Sequence, residues 1–167
     1  MSTSGRSQSD EDLLSIELGP AETSVSYLSS LLRVVQAALR EVARGSDELR
    51  PLFDRTAQPM LVVSRVRANG GLRLFLTFTD PGESRPMGDL SARTFDAFLD
   101  NLGAFVKELP QPSLWGGASR RRAPRSNQSA LAIRMDQVYQ ELRRSPRATL
   151  GFRGRTIEIE GDRMVIS

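Results

Sequence analysis

Few residues in this chain are suited to chemistry, because none of its 167 residues is histidine or cysteine. Ser-His-Asp triads, thiolate nucleophiles, zinc sites built on imidazole or thiolate, and iron–sulfur clusters all need one or both. Acid–base work would fall to the carboxylates, to Tyr27 and Tyr139, and to Lys107, the single lysine. Asp96 and Asp100 stand one helical turn apart, a spacing at which two carboxylates can share a cation or a proton, but surface acids commonly fall at this spacing. The densest acidic run, Asp10-Glu11-Asp12, does not have the spacing of a calcium loop and reads as part of a solvated tail. Neither GxxxxGK[ST] nor GxGxxG occurs. No cofactor or metal is expected, and an enzyme is the least favoured class.

Arginine is the chemistry that remains. Residues 118–167 carry eleven arginines against five acids, a net +6, which leaves residues 1–117 at −3 within a chain of net +3. The sequence pI of about 10.1 overstates this basicity. With no His or Cys, one Lys and two Tyr, almost nothing titrates between neutrality and pH ~10, so a small excess carries the pI far upward. Arg120, Arg121, Arg122 and Arg125 lie beside Trp115 in a Pro/Gly/Ser-rich stretch. Guanidinium groups there are able to hold phosphates bidentately while the indole stacks on a base. A second group, Arg65, Arg67 and Arg73 with Phe75, falls on one face of a hairpin. It has the cation-plus-aromatic make-up of a single-strand reader, provided that no helix covers that face.

The elements that must position these residues follow from periodicity. Leu14, Ile16 and Leu18 alternate with polar residues before Gly19-Pro20, the pattern of a half-buried strand. Leu28, Leu31, Leu32, Val35, Leu39 and Val42 mark an amphipathic helix over 24–44 with Thr23 or Ser24 as its cap, and a short helical turn is expected within 46–53. Residues 60–79 read as a β-hairpin about Asn69-Gly70-Gly71. A three-residue loop gathers Val62, Val66, Ala68, Leu72, Leu74, Leu76 and Phe78 on one face with Ser64. It leaves Val63, Arg65, Arg67, Arg73, Phe75 and Thr77 on the other.

A second helix, capped by Ser91, carries Phe95, Phe98, Leu99, Leu102, Phe105, Val106 and Leu109 and stops at Pro110. Residues 110–128 form a basic linker. A third helix within 127–144 carries Leu131, Met135, Val138, Tyr139 and Leu142, and 148–166 reads as a three-stranded meander.

The order β-α-β-β-α-α-β-β-β predicts an α+β fold, with a mostly antiparallel sheet of five or six strands and helices on one face. Residues 1–12 are expected as a polar, acidic, disordered tail and 13–167 as one domain, although the linker leaves room for a separate C-terminal lobe.

No apolar run approaches the roughly 20 residues that span a bilayer, and residues 1–12 lack the apolar stretch of a signal peptide. A cytoplasmic protein with no membrane partner is expected. The leading functional expectation is a small non-enzymatic interaction or accessory domain, acting on a protein partner or on itself. The alternative is nucleic-acid or polyanion binding through the arginines of 118–155. A buried Trp115 with dispersed arginines would favour the first, and an exposed Trp115 in a continuous arginine-lined groove the second.

Overall fold

The alternation at Leu14, Ile16 and Leu18 becomes strand β1 (Leu14–Gly19), with those three side chains buried and Glu17 exposed. A computed structural model describes residues 10–20, 22–54, 58–82, 87–109 and 129–167. Within it, β1 is followed by α1 (Val25–Arg44), α2 (Arg50–Phe53), β2 (Met60–Ala68) and β3 (Leu72–Thr79). Then come α3 (Gly88–Lys107), α4 (Ala130–Leu142), β4 (Arg147–Phe152), β5 (Arg155–Glu160) and β6 (Arg163–Ile166).

The six strands form one antiparallel sheet in the order β2-β3-β1-β4-β5-β6. β1 therefore sits inside the sheet, between the hairpin and the C-terminal meander. Because β4 pairs with β1, the last three strands extend the same sheet and form no lobe of their own. The α+β class, the antiparallel sheet and the packing of helices on it are as the periodicity predicts.

Ser24 caps α1, its Oγ accepting the Tyr27 N–H at 3.1 Å. The stripes of α1, α3 and α4 bury Leu31, Val35, Leu39, Phe95, Phe98, Leu102, Met135, Val138 and Leu142 against Ile16, Leu18, Leu76, Phe78, Leu150, Ile157 and Ile159. A chain of rings runs through this layer, with centroids 5.5 Å apart for Phe53–Phe78, 5.7 Å for Phe78–Phe95 and 5.4 Å for Phe95–Phe152.

Three local expectations need correction. The hairpin loop has the expected three residues, since Ala68 pairs with Leu72, but a β-bulge at Ser64 resets the alternation of β2. Leu61 and Val63 consequently face the same way as Phe78 and Leu76, while Val62 joins Thr77 on the opposite face. Unbroken alternation would have turned the polar Ser64 toward the helices; the extra residue leaves it exposed.

Ser91 does not cap the second helix, which begins at Gly88. It lies fully buried in the first turn, where its Oγ accepts the Phe78 N–H at 3.1 Å and lies 3.3 Å from Thr77 Oγ1. Its hydroxyl and the Met87 N–H, 2.8 Å from the Phe78 oxygen, serve the β3 edge beyond Leu76, where β1 pairing ends. Finally, of the tail expected over 1–12, residues 1–9 lie outside the described residues, and Asp10–Asp12 form a 3-10 turn seated against the sheet.

The hairpin loop is packed against the end of β1. Gly70 has φ +68, which glycine adopts without strain, and a Cβ on Gly71 would stand 2.6 Å from the Leu18 carbonyl oxygen. Among the described residues, no helix is long and apolar enough to cross a membrane.

Candidate interaction surface

With the helices on one face of the sheet, the alternate residues of each strand point to the other. Across that outer face, register aligns Arg67 with Arg73, Arg73 with Glu17, Glu17 with Thr149, and Thr149 with Glu158. The neighbouring row runs Arg65, Phe75, Ser15, Gly151 and Thr156. The face thus gathers arginines over β2 and β3, while over β5 Glu158 is paired with Arg147 of β4 at 2.7 Å.

Arg67 and Arg73 stand directly opposite each other, an arrangement that repels unless it is screened. Part of the relief is the Phe75 ring, with the Arg67 guanidinium 5.5 Å and the Arg73 guanidinium 5.0 Å from its centroid. The rest comes from carboxylates. Asp10 bridges two arginines, Oδ1 bonded to Arg65 Nη1 and Oδ2 2.8 Å from Arg67 Nη2. Two residues on, Asp12 Oδ1 lies 3.3 Å from Arg153 Nη2. The Leu13 N–H closes the turn on the Asp10 carbonyl at 3.3 Å, and the Leu13 side chain is buried as β1 begins. Glu17, Arg67, Asn69, Gly71 and Arg73 line a recess of about 140 Å³ beside this corner.

This arrangement changes the reading of the hairpin arginines. No described helix covers them, and the structure does bring Arg65, Arg67, Arg73 and Phe75 together. Phe75, however, is only 1% exposed, so its ring presents no face on which a base could stack. The corner holds carboxylates rather than aromatic planes. Sequence reasoning missed Asp10, Asp12 and Glu17 as its anionic members. The available signal was the position of the acidic run immediately ahead of the strand that becomes central.

A second cleft, about 200 Å³, lies between α3 and the β5–β6 edge and includes Asp100, Gly103, Lys107, Arg155, Ile157 and Ile166 in its lining. Here the Asp96/Asp100 pair does share a cation, and it is Arg155. Its Nη2 bonds Asp100 Oδ1, and its Nη1 lies 3.5 Å from Asp96 Oδ1. Among the described residues, no three acids gather as a metal site would require.

Most of the other described arginines of 118–155 also meet carboxylates. Arg143 pairs with Asp162 at 2.8 Å, Arg144 with Glu141 at 3.0 Å and Arg147 with Glu158 at 2.7 Å. Arg134 bonds Gln137 instead, at 3.2 Å. Trp115, Arg120, Arg121, Arg122 and Arg125, together with the whole of 110–128, lie outside the described residues.

The titration of Tyr27 is displaced upward. Burial raises the phenol above its usual value of 10.0 and the Glu141 charge adds to this, while Arg144 and the Ser145 backbone oppose it. Its hydroxyl donates to the Glu141 carbonyl at 2.6 Å, tying α1 to the end of α4, and the Arg144 guanidinium lies 5.0 Å from its ring centroid. Nearby, the Ser30 hydroxyl donates to the Glu141 carboxylate at 3.1 Å, a second tie between α1 and α4.

No protein-family model, curated protein or solved structure matches the chain. The functional reading therefore rests on its own residues.

Proposed function

We propose that the protein is a non-enzymatic interaction domain that meets a protein partner, or a second copy, through the outer face of its sheet. The observation that carries this reading is the asymmetry of the sheet. Helices pack on one face, whereas on the other Glu17, Arg67 and Arg73 are exposed beside the Asp10–Asp12 turn. That face is patterned in charge: arginines gather over β2–β3, while over β4–β5 Arg147 and Glu158 pair at 2.7 Å, which suits electrostatic selection of a partner.

Met60, 48% exposed on the edge strand β2, adds apolar contact area to this face, whereas Val63 and Val66, also exposed, share the side of Leu76 and Leu74. The bulge at Ser64 and the arginines beside it act against indiscriminate edge-to-edge pairing, which fits a selective surface better than an adhesive one. The pairing of Arg143, Arg144, Arg147, Arg153 and Arg155 with carboxylates weighs against a continuous phosphate track.

The test is light scattering after size exclusion, combined with crosslinking and capture from native extract. A stoichiometric complex or a concentration-dependent dimer, weakened by charge reversal at Arg67 or Glu158, is the expected result. A strictly monomeric chain that captures nothing would overturn the reading.

A further inference from the structure

The acidic turn at Asp10–Asp12 does more than neutralise its neighbours. Its anchoring carboxylate sits where two guanidinium groups converge: Asp10 bonds Arg65 through one oxygen and Arg67 through the other. Arg67 is also held against the Phe75 ring, as is Arg73 beside it. Such a corner is preorganised for a carboxylate, because the cations are already gathered and oriented before a ligand arrives. We infer that the Asp10–Asp12 turn is an internal occupant of this corner, and that the partner presents an acidic peptide segment which takes the turn's place. This rests on the interaction-domain reading and specifies the partner's chemistry.

Three observations support an exchangeable occupant. The turn itself is short and has no buried residue, and the Asp10 side chain remains 33% exposed. Its ion pairs with Arg67 and Arg153 involve arginine side chains that are 54% and 51% exposed, the class of contact that contributes least to stability. Release is also confined by the fold. Leu13 is buried and β1 begins at Leu14, so the turn lifts away without disturbing the central strand.

The chemistry favours an acidic peptide over a nucleic acid. Phe75 is covered and offers no stacking surface, and in the same cross-strand row Arg73 is followed by Glu17 and then, two strands on, by Glu158. With strands about 4.8 Å apart, a phosphate backbone crossing the face would meet carboxylates within one to three strand spacings. A short peptide whose carboxylates are spaced as in this chain's own turn fills the corner without reaching them. Because the occupant is covalently attached, it competes at high effective concentration, and the apparent affinity for a free ligand falls by the fraction of time the corner is open.

The experiment uses the full chain and a fluorescent peptide bearing its own residues 8–14, read by anisotropy at low salt. The double variant Asp10→Asn/Asp12→Asn, which removes the competing charges, is expected to bind this peptide about tenfold more tightly than the native chain. Adding Arg67→Gln should abolish the gain, and a peptide with its acids changed to amides should not bind. Urea midpoints measured alongside establish that each variant is folded.

Equal affinity of the native chain and the double variant would overturn the inference, as would binding that survives Arg67→Gln. A gain seen for a single-stranded oligonucleotide of equal charge, but not for the peptide, would overturn it in favour of a polyanion ligand. A chain that associates or captures a partner, yet responds to none of these changes, would overturn the latch and leave the interaction-domain reading standing.

Discussion

Phe75→Ala separates an aromatic platform from a buried anchor. If the ring were exposed, as the alternation of β3 taken alone allows, its removal would stay within about 0.5 kcal/mol, the usual range for surface changes. The structure places it at 1% exposure beneath two guanidinium groups. Truncating a buried phenylalanine costs about 3–5 kcal/mol through lost transfer energy and the cavity left behind. Here the lower end applies, because the roof is made of long, flexible arginines able to settle into the space.

The expected loss is therefore about 3 kcal/mol, which includes two cation–π contacts of roughly 0.5–1 kcal/mol each. With a urea dependence of about 2 kcal/mol per molar, the unfolding midpoint should fall by about 1.5 M at unchanged slope. Phe75→Leu, which keeps most of the buried apolar area, should lose about half as much. A midpoint shift below about 0.5 M for the alanine variant would refute the burial argument and with it the account of how Arg67 and Arg73 are held.

Ser91→Ala leaves the buried Phe78 N–H without its acceptor and should cost about 1–2 kcal/mol despite alanine's higher helix propensity. Faster amide exchange at Phe78 is the accompanying sign. Gly71→Ala forces a Cβ to within 2.6 Å of the Leu18 carbonyl oxygen and should destabilise the chain by at least about 1 kcal/mol, read from thermal unfolding. Gly70→Ala, with no atom within 4 Å of its added Cβ, should cost only the strain of its φ of +68.

Tyr27→Phe removes the bond to the Glu141 carbonyl and should cost about 0.5–1.5 kcal/mol at neutral pH. Because the folded-state phenol titrates above its ordinary 10.0, its contribution is complete below pH 10 and is lost as pH rises through the folded value. The native chain should therefore show a decline in stability above pH 10 that the phenylalanine variant lacks, measured by urea unfolding across that range.

Much of the fold is legible in the chain because its signals are local. The period of two at Leu14, Ile16 and Leu18 and the three-to-four spacing in α1, α3 and α4 are set by backbone geometry, and the described elements follow them. The three-residue hairpin loop was readable for the same reason. The bulge at Ser64 was not, because alternation carries no mark of an inserted residue until the partner strand supplies a register. Ser91 looked like a cap by type and position, but only the packing of α3 against β3 set its hydroxyl under the Phe78 amide.

The candidate surface divides in the same way. Residue types alone established that imidazole and thiol chemistry are absent, that arginine carries most of the positive charge, and that Arg65, Arg67, Arg73 and Phe75 share one side of a hairpin. Tertiary structure decided what those residues face. Asp10 meets Arg65 and Arg67 across 55 and 57 positions, Asp12 meets Arg153 across 141, and Asp96 meets Arg155 across 59. An ion pair depends on distance in space and leaves no period in the chain. Only the strand order, which sets β1 between the hairpin and the meander, brings an acidic turn onto the arginines and turns an apparent platform into an occupied corner.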